Sequence, residues 1–219
     1  VDSIAMIKLK KSSELKEMDL MIGPLYGNDF SAFSKIAKKE NISIVSPMAQ
    51  SNKVLLSNSN VSKVTPSAIT QIEQMANYIG EKYAGQNIMI LGNLGAKELN
   101  YVSTVKKTTN EVLKRKNISP SDTVKVVKGS AAITPLINPD KINLIIIPSK
   151  NESFVSNELS ALYQLREKHK KDSIMVFGLE EWKMIESLDV NYLENLNVHF
   201  FSTVFADYEN QVTKNFVSK

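Results

Sequence analysis

The stretch that most constrains the fold is residues 19–52, because it contains a complete strand–helix–strand unit with a loop after each strand. Residues 19–23 (DLMIG) form a short apolar run that ends at a Gly-Pro pair, which is typical of a buried parallel strand opening into a loop. Apolar side chains then recur at helical spacing over residues 30–37, before a second apolar strand at residues 42–46. Two strands joined through a helix are parallel, so we expect both loops at the same edge of one sheet.

Local signals also predict where helices begin and end. Asn28 or Asp29 is placed to cap the first helix, because short polar side chains accept hydrogen bonds from the free N–H groups of a first turn. Asn41 occupies the position just past the last turn, where Gly and Asn are favoured. Ser67 is placed to cap a second helix over residues 68–83.

From residue 87 the alternation of strands and helices continues. The apolar runs predict strands at residues 88–91, 124–127, 143–147, 174–177 and 198–203. The helical patterns predict helices at residues 97–116, 154–169 and 180–188, with a short helix or loop at 131–137. Such alternation makes an α/β sandwich, so we expect at least the first four strands to be parallel, with helices on both faces of the sheet.

The order of these elements carries a resemblance. The chain resembles the type 1 periplasmic binding proteins, the family of the branched-chain amino-acid receptors of ABC transporters. The resemblance lies in the order of an apolar strand, Gly-Pro, a small polar loop, a helix and then Ile-Val-Ser-Pro. Residues 22–26 (IGPLY) are similar to a branch fused to peptidoglycan-binding LysM repeats in Bacteroidetes-type bacteria, and to outer-membrane lipoproteins that activate penicillin-binding proteins. The resemblance implies an α/β fold of two lobes with doubly wound parallel sheets.

The resemblance also implies a domain organisation. Residues 1–85 match a partial first lobe, residues 86–203 a complete second lobe, and residues 204–219 a return segment to the first lobe. It implies that the first two strands and the first helix of the first lobe are missing, so we expect strand 19–23 to expose an apolar edge that another segment, such as residues 1–7, covers. A complete domain with an irregular N-terminus is the alternative.

Composition excludes several classes of function. The 27 Lys and Arg against 23 Asp and Glu give a net charge of +4 that is spread over helix ends without an arginine-rich run, so nothing indicates nucleic-acid binding. The absence of cysteine excludes disulfides and thiol chemistry and fits an exported protein, which we expect in the periplasm or at the outer membrane. No apolar stretch is long enough to cross a membrane.

The resemblance implies a ligand between the lobes, at the carboxyl ends of the strands. The side chains and loops expected to line the site are Tyr26, Asn28, Ser46, Ala49 and Gln50 from the first lobe, and Asn93 to Lys97 from the second. Ser46 and Ala49 match a Ser-Pro-x-Ala-Thr pattern of the family, although its Thr is replaced here by Gln50. Ordinary turn chemistry explains these two loops equally well.

The ligand class follows from what the second lobe lacks. Residues 92–95 (GNLG) follow a strand but lack the GxGxxG and P-loop patterns, so we expect a tight turn and no cofactor. The acidic residue and Tyr-Gly pair that help hold an ammonium in amino-acid receptors are not recognisable here, and Asp29 and Glu98 each suit a helix's first turn. We therefore expect weak or no binding of free amino acids, and a larger polar or anionic ligand, such as a peptidoglycan fragment, or none.

No arrangement of residues predicts catalysis. His169 and His199 are the only histidines, and no spacing around them indicates a metal site or a Ser-His pair. Trp182 could stack a sugar, but burial against the last strand is the favoured interpretation. We interpret the chain as a non-enzymatic ligand-binding domain of the bacterial envelope. The alternatives are a pocketless domain that regulates cell-wall synthesis through an envelope protein partner, and an amino-acid receptor of an ABC transporter.

Overall fold

The structure is a computed structural model that describes residues 15, 17–25, 27–92, 95–168, 173–203, 207 and 209–218. The chain divides into two compact units, Val1–Thr70 and Gln71–Lys219.

The first unit contains a three-stranded parallel sheet. Its elements in chain order are β1 (Leu20–Ile22), α1 (Gly27–Glu40), β2 (Ser43–Ser46), a 3-10 helix (Asn52–Leu55) and β3 (Val61–Lys63). The strand order is β1-β2-β3, with both pairs parallel. The strand–helix–strand unit predicted over residues 19–52 is confirmed.

α1 covers one face of this sheet. Its buried side chains are those predicted from helical spacing: Phe30, Phe33, Ile36 and Ala37. Asn41 has a left-handed φ of 55°, and the next residue returns a hydrogen bond to α1, from Ile42 N to Ala37 O at 2.8 Å. The predicted helix end is therefore confirmed. The predicted start is wrong, because α1 begins at Gly27 and so Asn28 and Asp29 lie inside its first turn. An acidic residue still suits that turn, where the helix dipole is positive.

β1 lies at the edge of the described sheet, as the sequence predicts. Leu20 is 51% exposed and Ile22 is 74% exposed. These side chains are two residues apart, so they share the face of the strand opposite to Met21, which packs against the core of the unit. The proposed cover, residues 1–7, lies outside the described residues.

The second unit is a doubly wound α/β sandwich, and the division between the units falls within its first helix. Its helices are α2 (Ala68–Lys82), α3 (Ala96–Arg115), α4 (Glu152–Lys168), α5 (Val190–Asn195) and α6 (Gln211–Val217). Its strands are β4 (Asn87–Leu91), β5 (Val124–Val127), β6 (Asn143–Ile146), β7 (Ile174–Gly178) and β8 (Val198–Phe200). Four 3-10 helices lie in the connections, at Pro120–Asp122, Ser130–Ala132, Thr134–Leu136 and Glu180–Met184.

The five strands of this sheet are all parallel, in the order β5-β4-β6-β7-β8. The predicted parallel sheet is confirmed, and the fifth strand also follows it. From β4 the chain first adds β5 on one side and then β6 on the other. The loops after β4 and β6 therefore diverge, and such a reversal of strand order opens a crevice at the carboxyl ends of the strands.

α2 belongs to the core of the second unit. Ile72, Met75 and Ile79 are buried there with every residue of β4. These contacts explain why the compact units divide at Thr70, whereas the resemblance places the crossing near residue 85. The capping prediction at the start of α2 is confirmed, since Thr70 N donates to Ser67 Oγ at 3.1 Å.

The helix predicted over residues 180–188 is wrong. A 3-10 helix, Glu180–Met184, forms instead, because Trp182 turns inward and is 1% exposed. A separate helix, α5, follows, and Asp189 caps it by accepting from Asn191 N at 2.8 Å. No helix in the described part of the chain is long and apolar enough to cross a membrane.

Candidate functional site

Ser46 ends β2 at the carboxyl edge of the first sheet. It is 1% exposed, and its Oγ accepts a hydrogen bond from Ala49 N at 3.0 Å. The two residues are thus brought together in a turn, which is the non-functional alternative that the sequence allows. The hydroxyl hydrogen of Ser46 is still able to donate to a ligand, because a serine hydroxyl both donates and accepts.

The loop after this turn is held by the neighbouring strand. Lys63 Nζ donates to the carbonyl oxygen of Gln50 at 3.0 Å, and Thr65 Oγ1 donates to Pro47 O at 3.0 Å. Burial lowers the pKa of Lys63. The side chain of Gln50 is exposed, so its backbone is fixed while its amide faces solvent.

Two more predicted site residues follow β1. The N–H of Gly23 donates to Val45 O at 2.9 Å, which extends the pairing of β1 with β2 by one residue. Asn28 lies in the first turn of α1. Tyr26 lies outside the described residues.

In the second unit Gly92 and Gly95 lie on either side of residues that the structure does not describe. A Cβ atom on Gly92 would come within 2.5 Å of Val102 Cγ2, so glycine is needed for α3 to pack this close to the loop. Gly95 is the N-cap of α3 and has no side chain with which to cap it. The predicted tight turn over residues 92–95 stays a prediction, because residues 93 and 94 lie outside the described part of the chain. Asn93 lies outside the described residues, and Lys97 lies in the first turn of α3.

A hydrogen bond between Glu98 and Ser149 joins the first turn of α3 to the loop after β6. The Ser149 hydroxyl donates to Glu98 Oε1, across the point where the strand order reverses. The other carboxyl oxygen, Glu98 Oε2, is buried and has no hydrogen-bond partner within the described part of the chain. A buried acceptor without a partner is uncommon in folded proteins and needs an explanation.

Ser149 itself is fully buried and well connected. Its Oγ accepts from Asn151 N at 3.1 Å, and its carbonyl oxygen accepts from Trp182 Nε1 at 2.8 Å. The loop after β6 is therefore fixed by contacts with both α3 and the segment after β7. Glu98 is held by a rigid partner.

Lys150 lies beside this pair at the same edge. It forms an ion pair with Glu181, and its Nζ lies 5.9 Å from the centroid of the Tyr101 ring. Its side chain is 36% exposed, so the ammonium can be reached from solvent. A cation and an aromatic ring thus lie on residues close in sequence to Ser149 and Glu98, respectively.

The Glu180 carboxylate accepts hydrogen bonds from the residues that follow β8. Its carboxylate accepts from Ser202 Oγ at 2.6 Å and from Thr203 Oγ1 at 2.9 Å, and Thr203 N also donates to it. Burial alone would raise the pKa of Glu180, but these hydrogen bonds and the charge of Lys183 outweigh burial and hold the pKa below its usual value. Glu180 therefore connects the segment after β7 to the segment after β8.

Trp182 packs inside the unit, so its predicted burial against the last strand is confirmed. It is 1% exposed, and its ring meets Phe200 of β8 edge to face, with centroids 5.9 Å apart. A Cβ atom on Gly178 would lie 2.4 Å from Trp182 Cε3, so the ring occupies the space that a side chain at position 178 would need.

The side chain of His199 contacts other residues of the fold. Its ring stacks on Phe177 with centroids 5.1 Å apart, and Nδ1 lies 2.8 Å from Asn197 O. His169 lies outside the described residues. Among the residues that the structure describes, no three His, Cys, Asp or Glu side chains are grouped so as to hold a metal ion.

Sequence reasoning did not identify Ser149, Lys150 or Glu180 as candidate site residues. A signal for them exists, because each lies two or three residues after a predicted apolar strand of a parallel sheet. Glu98 was identified only as a residue suited to a helix's first turn.

Comparisons with known proteins support the fold. No protein-family model matches the chain, and no curated protein matches it. A branched-chain amino-acid ABC transporter protein of Rhodospirillum rubrum is similar in structure, with a TM-score of 0.55 and 14% identity over 85% of this chain and 51% of that one.

Full-length LpoA of Haemophilus influenzae is similar with a TM-score of 0.54 and 8% identity, over 96% of this chain and 37% of that one. The C-domain of the same LpoA, described as a regulator of PBP1A, has a TM-score of 0.54 and 9% identity, over 96% of this chain and 64% of that one. The chain thus spans between about a third and two thirds of the length of these proteins. At these identities the likeness concerns the fold, which is of the type 1 periplasmic-binding-protein kind.

Proposed function

We propose that this chain is a non-enzymatic binding domain of the bacterial envelope, which holds a polar ligand at the carboxyl ends of its parallel strands. The observation that carries the proposal is the Glu98 carboxyl group. It bridges to Ser149 at the point where the strand order reverses, and it keeps one buried oxygen without a partner among the described residues.

The free oxygen indicates what a ligand would supply. Leaving a buried acceptor unpaired costs about 1–3 kcal/mol, and a hydroxyl or amide N–H of a ligand would recover that cost on binding to Oε2. Lys150 follows Ser149 directly in the sequence, and its ammonium lies 5.9 Å from the centroid of the Tyr101 ring. The cation suits a carboxylate and the ring suits the flat face of a sugar. A peptidoglycan fragment combines hydroxyl, amide and carboxylate groups, so it is our favoured ligand class.

The likeness to known folds supports this class of function. The Rhodospirillum protein is an ABC transporter protein, and the Haemophilus proteins are LpoA. We place the chain by analogy in the periplasm or at the outer membrane, in an exported protein that in some bacteria also carries LysM repeats or a lipid anchor. The predicted site residues Tyr26, Asn28, Ser46, Ala49, Gln50 and Asn93 remain part of the proposal.

Calorimetric titration of the intact chain with soluble muropeptides tests the proposal. In Glu98→Gln, the group at the Oε2 position becomes a donor, so we expect binding about tenfold weaker. Glu111→Gln is the matched control, since Glu111 is on the same helix with a side chain 60% exposed. Equal weakening in both variants, or none in Glu98→Gln, would contradict a site at Glu98.

A pocketless regulatory domain is the second candidate. Most other polar groups at this edge are already paired with each other, as in the bonds of Glu180 with Ser202 and Thr203 and the pair Lys150–Glu181. The fold likeness to the LpoA C-domain favours the same view. This function would be indicated if no muropeptide bound while a purified penicillin-binding protein bound the chain.

An amino-acid receptor is the third candidate, supported by the likeness to the Rhodospirillum protein. Titration with leucine decides this case. Micromolar binding that is lost in Ser46→Ala would favour a transport receptor over the cell-wall role.

A further inference from the structure

A separate cavity lies within the first unit, on the flank of α1. It has a volume of about 330 Å³ and is enclosed by α1 on one side and by residues 52–58 on the other. None of Ser46, Ala49 and Gln50 lines it. The cavity is therefore distinct from the strand ends at which the sequence predicts a ligand.

The α1 wall of this cavity is one continuous stripe of the helix. Ser31, Ser34, Lys35 and Lys38 line it, at spacings of three, four and seven residues, which place them on the same helical face. The opposite face of α1 packs into the core through Phe30, Phe33 and Ala37. The stripe thus presents two ammonium groups and two hydroxyls to the cavity.

The second wall is fixed to the first. Asn58 Nδ2 donates to Ser34 O at 2.9 Å, and Lys38 Nζ donates to Ser57 O at 2.5 Å. Ser57 has a left-handed φ of 58°, which turns the chain back toward β3. Because these bonds tie the loop to the helix, the cavity is preformed and does not need to be assembled by a ligand.

The charged side chains that line the described part of the cavity are all positive. Lys53 from the second wall joins Lys35 and Lys38, and no carboxylate is among the described side chains that line the cavity. Like charges three residues apart on a helix repel each other, and this repulsion is relieved when an anion binds between them. Val54 and Leu56 add an apolar wall beside the cations.

We propose that this cavity binds an anionic group, a phosphate or a carboxylate, between Lys35, Lys38 and Lys53. The Ser31 hydroxyl of α1 donates to its oxygens, whereas the Ser34 hydroxyl donates to Ser31 O within the helix at 2.9 Å. The apolar wall accommodates the carbon skeleton that carries the group. The proposal is independent of the site at Glu98, since the cavity lies wholly within the first unit.

NMR titration of the intact, ¹⁵N-labelled chain tests the proposal. One arm uses inorganic phosphate, a second uses glucuronate as a carboxylated sugar, and glucose is the neutral control. We expect saturable shifts at the amides of Ser57 and Asn58 with at least one anion and none with glucose. The arm that saturates at the lower concentration identifies the source of the anionic group.

The variant Lys35→Gln/Lys53→Gln removes two cations whose side chains are exposed, and Lys38 still holds the loop. We expect it to bind the anion about tenfold more weakly. Lys39→Gln is the matched control on the same helix, because Lys39 does not line the cavity. Absent or non-saturable shifts, or equal weakening in Lys39→Gln, would overturn the proposal. Muropeptide binding at Glu98 is expected to be unchanged in the double variant, so the two proposals fail separately.

Discussion

Thr109 provides a sharp test of the packing of the second unit. It lies on α3, is fully buried, and its Oγ1 has no hydrogen-bond partner within the described part of the chain. A buried hydroxyl without a partner costs about 1–3 kcal/mol. Valine has the same shape with a methyl group in place of the hydroxyl. We therefore expect Thr109→Val to raise the free energy of unfolding by about 1 kcal/mol.

Thr123 is the matched control, because it is buried in the same unit with its hydroxyl satisfied. It is 3% exposed, and its one hydroxyl hydrogen is shared between Ser119 O at 3.1 Å and Pro120 O at 3.3 Å. The same substitution, Thr123→Val, removes the donor to Ser119 O, while Pro120 O keeps its bond from the backbone N–H of residue 123. We expect it to lower the free energy of unfolding by about 1 kcal/mol, opposite in sign to the first variant.

Equilibrium unfolding in urea, followed by fluorescence, compares the two variants. Trp182 is the only tryptophan and lies in the second unit with both threonines, so its signal reports the unit that was changed. The midpoints should shift in opposite directions at an unchanged slope. If Thr109→Val is as destabilised as Thr123→Val, the Thr109 hydroxyl has a partner and the reasoning from unpaired groups is refuted.

Three further predictions concern the same unit. Asn143→Ala should lower the free energy of unfolding by about 3 kcal/mol, measured by urea unfolding. The side chain is fully buried, its Oδ1 accepts from Asn87 Nδ2 at 2.7 Å, and its two amide hydrogens are shared among three carbonyl oxygens. Gly178→Ala should lower the melting temperature, because the new Cβ atom would lie 2.4 Å from Trp182 Cε3. Glu180→Gln should destabilise the chain at pH 7. The stability difference between the two proteins should shrink as the pH falls below the usual glutamate pKa of about 4.3, because the folded-state pKa of Glu180 is lowered and its stabilisation is lost as the pH falls through that lowered pKa.

The elements with the strongest local signals were predicted within a residue or two. The apolar runs that form β4 and β6 are buried along their whole length, as expected for central strands of a parallel sheet. The errors occur where tertiary contacts decide. Trp182 packs beneath Gly178 and shortens the expected helix to a 3-10 turn. The last strand ends early because Ser202 and Thr203 bond to Glu180 instead of pairing.

The contact at the centre of the candidate site could not be predicted from sequence. Glu98 and Ser149 are 51 residues apart, and they meet only because β6 lies beside β4. Sequence patterns predict that strands are parallel and that loops leave a common edge, but strand order depends on how the helices distribute over the two faces. Residues 93–97, just before Glu98, were predicted to line the site, whereas Ser149 was not.

The unpaired oxygen of Glu98 differs in its setting from the other unpaired groups of α3. Thr109 Oγ1 and Asn110 Oδ1 are buried in the second half of that helix, where a hydrophobic replacement would remove their cost. Glu98 lies in the first turn and bonds to the loop after β6, at the reversal of strand order. A ligand entering such a crevice reaches the carboxyl ends of the strands first. The cost of an unpaired oxygen at the strand ends can be offset by a bound ligand, whereas the cost of an unpaired group in the middle of a helix cannot. This difference favours a binding site at Glu98 over a chance packing defect.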